Sequence, residues 1–176
     1  MENRRLKIVV FGSFHAGKST LIHCLDPSCR HIDVPSEHGP TTIAFDFGRL
    51  SIGDVSVFLY GTPGQERFEF CRQILARGMD AAIIVVDSTT DIHDMTLELY
   101  KWLRTEGVPL AIMLNKCDAA GSCADRFRDY LGNELMYPVS ALSGSNVKPA
   151  LASFVGHIAA DLQSKQVSLA AEPGEA

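Results

Sequence analysis

The chain has 176 residues, enough for one domain with a sizeable core. Apolar residues make up 46% of it and charged residues 21%, with a formal net charge of −5. This mildly acidic balance argues against broad electrostatic binding to nucleic acid or to anionic membrane. The five cysteines, Cys24, Cys29, Cys71, Cys117 and Cys123, are odd in number and form no CxxC pair. Residues 1–7 are charged and carry no signal peptide, so the sequence predicts a reduced, cytoplasmic protein. No apolar stretch approaches the roughly 18 residues that span a bilayer. Neither Met1-Glu2 nor Gly174-Glu175-Ala176 carries a lipidation motif, and direct membrane insertion is not expected.

The first apolar run, residues 6–11, is too short for a helix and rich in β-branched residues, so it predicts a buried strand. Gly12-Ser13-Phe14-His15-Ala16-Gly17-Lys18-Ser19 follows it and fits G-x-x-x-x-G-K-[ST], and Thr20-Leu21-Ile22 continues into a helix. Gly12 and Gly17 let the backbone turn tightly, so successive N–H groups across Ser13 to Thr20 can point at anionic oxygens. Lys18 sets a cation against β- and γ-phosphates, and the Ser19 hydroxyl can ligate Mg²⁺. Phe14 and His15 are unusual in such a loop. Phe14 would crowd the water or an arginine near a γ-phosphate, while His15 either donates to phosphate or is merely solvated.

Residues 43–50 and 55–60 are strands separated by Gly53-Asp54. That gap is too short for a crossover and predicts an antiparallel hairpin. Residues 81–86 and 110–114 are further buried strands. Between them Met95, Leu99, Trp102 and Leu103 form a helical core stripe. Asn115-Lys116-Cys117-Asp118 then follows a strand directly. The Asp118 carboxylate can accept from N1–H and the 2-amino group of guanine, donors that adenine lacks. The Lys116 stem can cover the ring face, and Asn115 can tie this loop to the phosphate loop. Ser140-Ala141-Leu142 follows a short strand at residues 135–139, and a backbone N–H there can meet the guanine O6. Leu151, Phe154, Val155, Ile158 and Leu162 form the last helical stripe. Apolar periodicity is lost from about Gln163, which predicts one domain over residues 1–163 and a flexible tail over residues 164–176.

Strands alternating with helices predict an α/β fold of the P-loop NTPase type. Its three α/β/α layers would enclose a mostly parallel six-stranded sheet with one antiparallel edge strand. Ligands of such sheets bind beyond the carboxyl ends of the strands, where both motifs fall.

Together these segments resemble the Ras-like small GTPases over residues 6–162. The resemblance implies that Thr41-Thr42-Ile43-Ala44-Phe45-Asp46-Phe47 is a first switch of the Rab type. Thr42, or failing it Thr41, would then complete Mg²⁺ coordination and sense the γ-phosphate. It also implies that Gly64-Gln65-Glu66-Arg67-Phe68 belongs to the second switch, with Gly64 on the γ-phosphate and Gln65 orienting the attacking water. The implied catalytic set is Gln65, Lys18 and Thr42, with Ser19 and Thr42 on the metal.

One departure matters. The family's second switch begins with the aspartate of D-x-x-G, which binds Mg²⁺ through water. Here the matching stretch is Gly61-Thr62-Pro63-Gly64. The bacterial polarity-switch protein and the actinobacterial conservon GTPases also read x-x-P-G-Q, and this chain resembles them most. That likeness implies effector, activating or exchange partners. Asp46 or Asp87 can supply a substitute carboxylate; Asp46 also reads as a strand surface charge, and Asp87 as a turn residue before Ser88-Thr89.

The implied function is a small regulatory switch that binds GTP or GDP with Mg²⁺. It would hydrolyse GTP slowly and rearrange residues 32–42 and 62–77. The alternative is a guanine-nucleotide-binding module with negligible hydrolysis that acts as an interaction scaffold. Gln65 favours the first; Gly61 and Phe14 favour the second. A P-loop kinase or ATPase conflicts with Asp118. His23, Cys24, Cys29, His31 and His38 crowd together, but their spacing matches no closed tetrahedral zinc site. Arg67, Arg49 and Arg30 each read as surface charge or as an internal arginine finger.

Overall fold

In the computed structural model, which describes residues 4–35, 42–64, 69–123 and 125–170, the central strand is β1 (Arg4–Phe11). Ile8, Val9, Val10 and Phe11 are all fully buried, as a strand covered on both faces requires. Its alternate residues feed opposite layers. Leu6, Ile8 and Val10 pack with α1 (Lys18–Leu25) and α5 (Val147–Ala170), whereas Val9 and Phe11 pack with α3 (Asp94–Thr105) and α4 (Arg128–Leu131). Phe11 meets Trp102 of α3 edge-on, with ring centroids 5.6 Å apart. The fully buried rings of Phe11, Phe127 and Phe154 anchor the two layers, each worth roughly 2–3 kcal/mol of burial.

The remaining strands are β2 (Arg30–Pro35), β3 (Thr42–Ile52), β4 (Val55–Gly61), β5 (Ala81–Asp87), β6 (Leu110–Asn115) and β7 (Leu135–Pro138). They form one seven-stranded sheet in the order β2-β3-β4-β1-β5-β6-β7. All pairings from β4 to β7 are parallel, while β3 runs antiparallel to both β2 and β4. The expected three-layer fold with its β3–β4 hairpin is present. The sheet gains one strand over the six expected, because Arg30–Pro35 pairs along β3 where the sequence reads as a switch loop. The antiparallel strand therefore lies one place in from the edge.

The expected stripes face the core: Leu99 and Leu103 of α3, and Leu151, Phe154, Val155 and Ile158 of α5, are buried. The backbone of α5 stays helical to Ala170, beyond the point near Gln163 where apolar periodicity ends. Among the described residues no helix is long and apolar enough to cross a membrane. The chain leaves β1 toward α1 on one face of the sheet. It reaches β5 through α2 (Glu69–Ala76) on the other. The carboxyl end of β1 is thus the point where the winding reverses, and the crevice opens there.

Candidate functional site

The loop between β1 and α1 is built around an internal cation. Lys18 opens α1 yet is only 8% exposed. Its ammonium donates to the carbonyls of Gly12 at 2.9 Å and Ser13 at 2.8 Å. Burial pushes its pKa down to about 8; the nearby Asp46 carboxylate opposes this drop and the Arg72 charge adds to it. Gly17 caps α1 in a left-handed conformation with φ 98°, and no side chain bonds the first turn. Among the described residues the opening of α1 therefore has no side-chain cap, the arrangement that suits an anion. His15 also has a left-handed φ of 62°, and its ring lies 3.9 Å from that of Phe14, which is 56% exposed.

The loop after β6 meets this one through Asn115, which is 3% exposed. Its Nδ2 donates to the Ala16 carbonyl at 2.9 Å, and its Oδ1 accepts the Ala141 N–H at 2.8 Å. One amide thereby joins the phosphate loop, the base loop and the Ser140-Ala141-Leu142 turn. Lys116 is held at φ 65° and its ammonium bonds the Asp87 carboxylate. Burial pushes the Asp87 pKa up, but the Lys116 and Thr89 hydrogen bonds and the Lys116 charge leave it below its ordinary value. Asp118 lies exposed at the rim, and Leu142 is 84% exposed.

These loops wall one cleft of about 810 Å³, within the range of small-molecule sites. Phe14, His15, Gly17, Lys18, Ser19 and Thr20 line one side. Asn115, Lys116, Asp118, Ala141 and Leu142 line another, and Gly64 closes an end. Ser13, Ala16 and Ser140 are buried behind that wall. Thr42 opens β3 with its backbone opposite Pro35, but its side chain lies outside the described residues, as do Thr41 and Gln65.

Thr62 leaves β4 with its N–H and its hydroxyl both donating to the Val10 carbonyl, at 2.9 and 3.0 Å. This fixes the start of the segment against β1. A Cβ on Gly64 would stand 2.7 Å from the Lys18 Nζ and 2.9 Å from the Phe14 backbone, so a glycine is needed for that approach. Across the cleft the Ser19 hydroxyl donates to Asp46 Oδ2 at 2.5 Å, and the His31 Nδ1–H donates to Asp46 Oδ1 at 2.9 Å. Two hard oxygens, Ser19 Oγ and Asp46 Oδ2, therefore lie together in the cleft wall. That donor chemistry fits Mg²⁺ rather than a soft metal.

The His23 and Cys29 side chains approach to 3.6 Å, but among the described residues no three His, Cys, Asp or Glu groups converge on a metal position; His38 lies outside them. Arg49 lies over the Phe58 ring at 5.4 Å, and neither it nor Arg30 lines the cleft. Arg67 lies outside the described residues. One residue of the cleft wall has a role there that the sequence does not show. In the sequence His31 reads as one of the zinc candidates, and only the β2–β3 register, which pairs it with Asp46, reveals its place. Arg72, 6% exposed, does not line the cleft, although its charge adds to the lowering of the Lys18 pKa.

Residues 36–160 match the elongation factor Tu GTP binding domain family. An uncharacterized protein of Methanocaldococcus jannaschii is 36% identical over 118 residues, covering 67% of this chain and 74% of its own. GTPase Era of Rickettsia akari is 27% identical over 165 residues, 87% of this chain, and translation initiation factor IF-2 of Persephonella marina 31% over 158 residues, 82% of this chain. The chain spans 56% of Era and 18% of the initiation factor. Among solved structures, translation elongation factor SelB of Methanococcus maripaludis, bound to a GTP analogue, superposes with a TM-score of 0.71 at 20% identity. It covers 90% of this chain and 34% of its own. The Arl6 small GTPase of Trypanosoma brucei gives a TM-score of 0.64 at 20% identity, covering 88% and 98%.

Proposed function

Because this chain belongs to the elongation factor Tu GTP binding domain family, we propose that it is a small regulatory switch that binds GTP or GDP with Mg²⁺ and hydrolyses GTP slowly with a partner's help. One observation carries this reading: Asn115 bonds both Ala16 and Ala141, so a phosphate cradle and a base reader open on one cleft. The distance between the two loops is set by a single buried side chain, which suits a ligand with a phosphate tail at one end and a purine at the other.

The residues divide the work by chemistry. Backbone N–H groups from Ser13 to Thr20 take the phosphates, and Lys18 turns its ammonium from the Gly12 and Ser13 carbonyls toward the β- and γ-oxygens. Ser19 and Thr42 would hold magnesium, whose charge neutralises the β- and γ-phosphate oxygens when it is bound. Gln65 orients water in line with the γ-phosphate, and Gly64 approaches closely enough to sense it. Asp118 selects guanine, with Lys116 braced by Asp87 over the ring and the Ala141 turn beneath O6. Residues 32–42 and 62–77 are the segments proposed to rearrange between nucleotide states and to present effector, activating or exchange surfaces. The Gly61-Thr62-Pro63-Gly64-Gln65 pattern supports a place near the bacterial polarity-switch and conservon GTPases, acting in the cytoplasm.

Phe14 favours a second reading. Exposed at the rim, with its ring tilted 53° to that of His15, it would crowd a water or an arginine approaching a γ-phosphate. A module that holds guanine nucleotide with negligible turnover would carry such a residue at no loss. The test common to both is selectivity: wild type is expected to bind GDP and ignore ADP, and Asp118→Asn to exchange preference from guanine toward xanthine. Unchanged base preference in Asp118→Asn would refute the site assignment.

A further inference from the structure

We infer that Asp46, reaching in from β3, is the carboxylate that supports the magnesium shell of a nucleotide held at Lys18 and Ser19, in place of the side chain that this chain lacks at position 61. The inference rests on the nucleotide reading above and deepens it.

Register is the first support. In the antiparallel β3–β4 pair, Asp46 faces Gly61. A Cβ built on Gly61 would stand 3.2 Å from the Asp46 Cβ and 3.3 Å from its Oδ2. The Asp46 carboxylate thus fills the volume into which an aspartate at 61 would project. Two carboxylates there would each disfavour the other's charge. With glycine at 61, the carboxylate at this position of the site comes from the neighbouring strand of the hairpin.

The contacts are the second support. The Ser19 hydroxyl has one proton and two lone pairs, and its proton is committed to Asp46 Oδ2 at 2.5 Å. A lone pair stays available for a cation, and the carboxylate enriches the oxygen that would bind it. The His31 Nδ1–H, donating to Oδ1 at 2.9 Å, fixes the plane of the carboxylate. The Asp46 side chain keeps 15% exposure, enough to meet a cation that retains its waters, as magnesium does. Asp87, the other acid the sequence offers for this role, is committed to Lys116 and Thr89.

The experiment is release of a fluorescent GDP from the full chain, followed across a magnesium titration and in excess EDTA. It compares wild type, Asp46→Asn, Asp46→Ala, Gly61→Asp and the double variant Asp46→Gly with Gly61→Asp, each checked for folding by its thermal melt. The magnesium concentration that half-slows release should rise about 10–100-fold in Asp46→Asn and Asp46→Ala. Release in EDTA should stay near the wild-type rate. Gly61→Asp alone should release GDP faster. The double variant should recover part of the magnesium response, since clearing the Asp46 side chain removes two of the three nearest atoms and leaves the Ile22 methyl, 2.7 Å away, to shift. Unaltered magnesium dependence in Asp46→Asn would overturn the inference. So would equal loss of GDP with and without magnesium, which would reduce Asp46 to a packing role. A wild type that binds GDP without responding to magnesium defeats this inference alone; a wild type that binds no GDP defeats the nucleotide reading first.

Discussion

The Asn115 amide holds the Ala16 carbonyl at 2.9 Å across 99 residues of chain, so the two loops of the cleft are one hydrogen-bonded body. The bond is buried, and the same side chain accepts the Ala141 N–H. Asn115→Ala removes both partners' bonds and leaves a buried carbonyl and a buried N–H unpaired. The expected loss is roughly 2–3 kcal/mol of stability from two such groups, read by urea unfolding without nucleotide. GDP affinity should fall as well, since the two halves of the cleft lose their fixed spacing. A variant of wild-type stability would mean that water replaces the amide at no cost.

Gly17→Ala attacks the same tie from the other loop. Its Cβ would stand 2.2 Å from the Asn115 Nδ2, at a backbone φ of 98°. Steric collision and left-handed strain then add. In the double variant with Asn115→Ala the collision disappears and only the strain remains, so the two losses should combine to less than their sum. A coupling of about 1–2 kcal/mol in the cycle is expected, and strict additivity would show that the loop moves aside instead.

Much of this arrangement can be read from the chain before it is folded, and the division is physical. Short apolar runs buried on both faces, such as β1 and β5, announce themselves, as do the glycines and the lysine of the phosphate loop. What depends on register does not. Asp46 and Asp87 look equivalent in the sequence; the β3–β4 pairing puts one beside Ser19 and the β5–β6 edge gives the other to Lys116. Arg30–Pro35 pairs along the long β3, and its alternation, only Ile32-Asp33-Val34 between charged residues and a proline, is too short to announce a strand. The last turns of α5 likewise continue past Gln163 although their apolar stripe has ended.

Turnover separates the two functional readings. In a GTPase, Gln65→Leu should slow single-turnover hydrolysis of bound GTP by about 10²-fold, the scale of a positioned group acting on the water. Phe14→Ala should leave nucleotide affinity near wild type and raise the rate seen with an activating partner, because the ring no longer blocks the γ-phosphate side. Equal, very slow hydrolysis in wild type and Gln65→Leu, with or without candidate partners, would decide for the binding module.

Lys18 links the site to pH in two opposite directions. Its folded pKa, about 8, lies below the ordinary 10.5, so between those values the unfolded chain binds more protons than the folded one. The cost of burying the charged lysine is therefore fully present below about pH 8 and is relieved as pH rises toward 10.5. The stability of nucleotide-free wild type, relative to Lys18→Met, should rise across that window. Phosphate binding reverses the sign: an anion beside Lys18 favours the ammonium, so GDP binding takes up a proton once Lys18 has begun to lose its own. Affinity should fall as pH rises through about 8, by at most roughly tenfold per pH unit. Titration calorimetry of GDP binding near pH 8, in buffers of different ionisation enthalpy and below the range where guanine itself deprotonates, reads that uptake directly. Proton-free binding with a flat affinity across the window would mean that Lys18 stays charged in the empty loop, and that the carbonyls of Gly12 and Ser13 offset its burial in full.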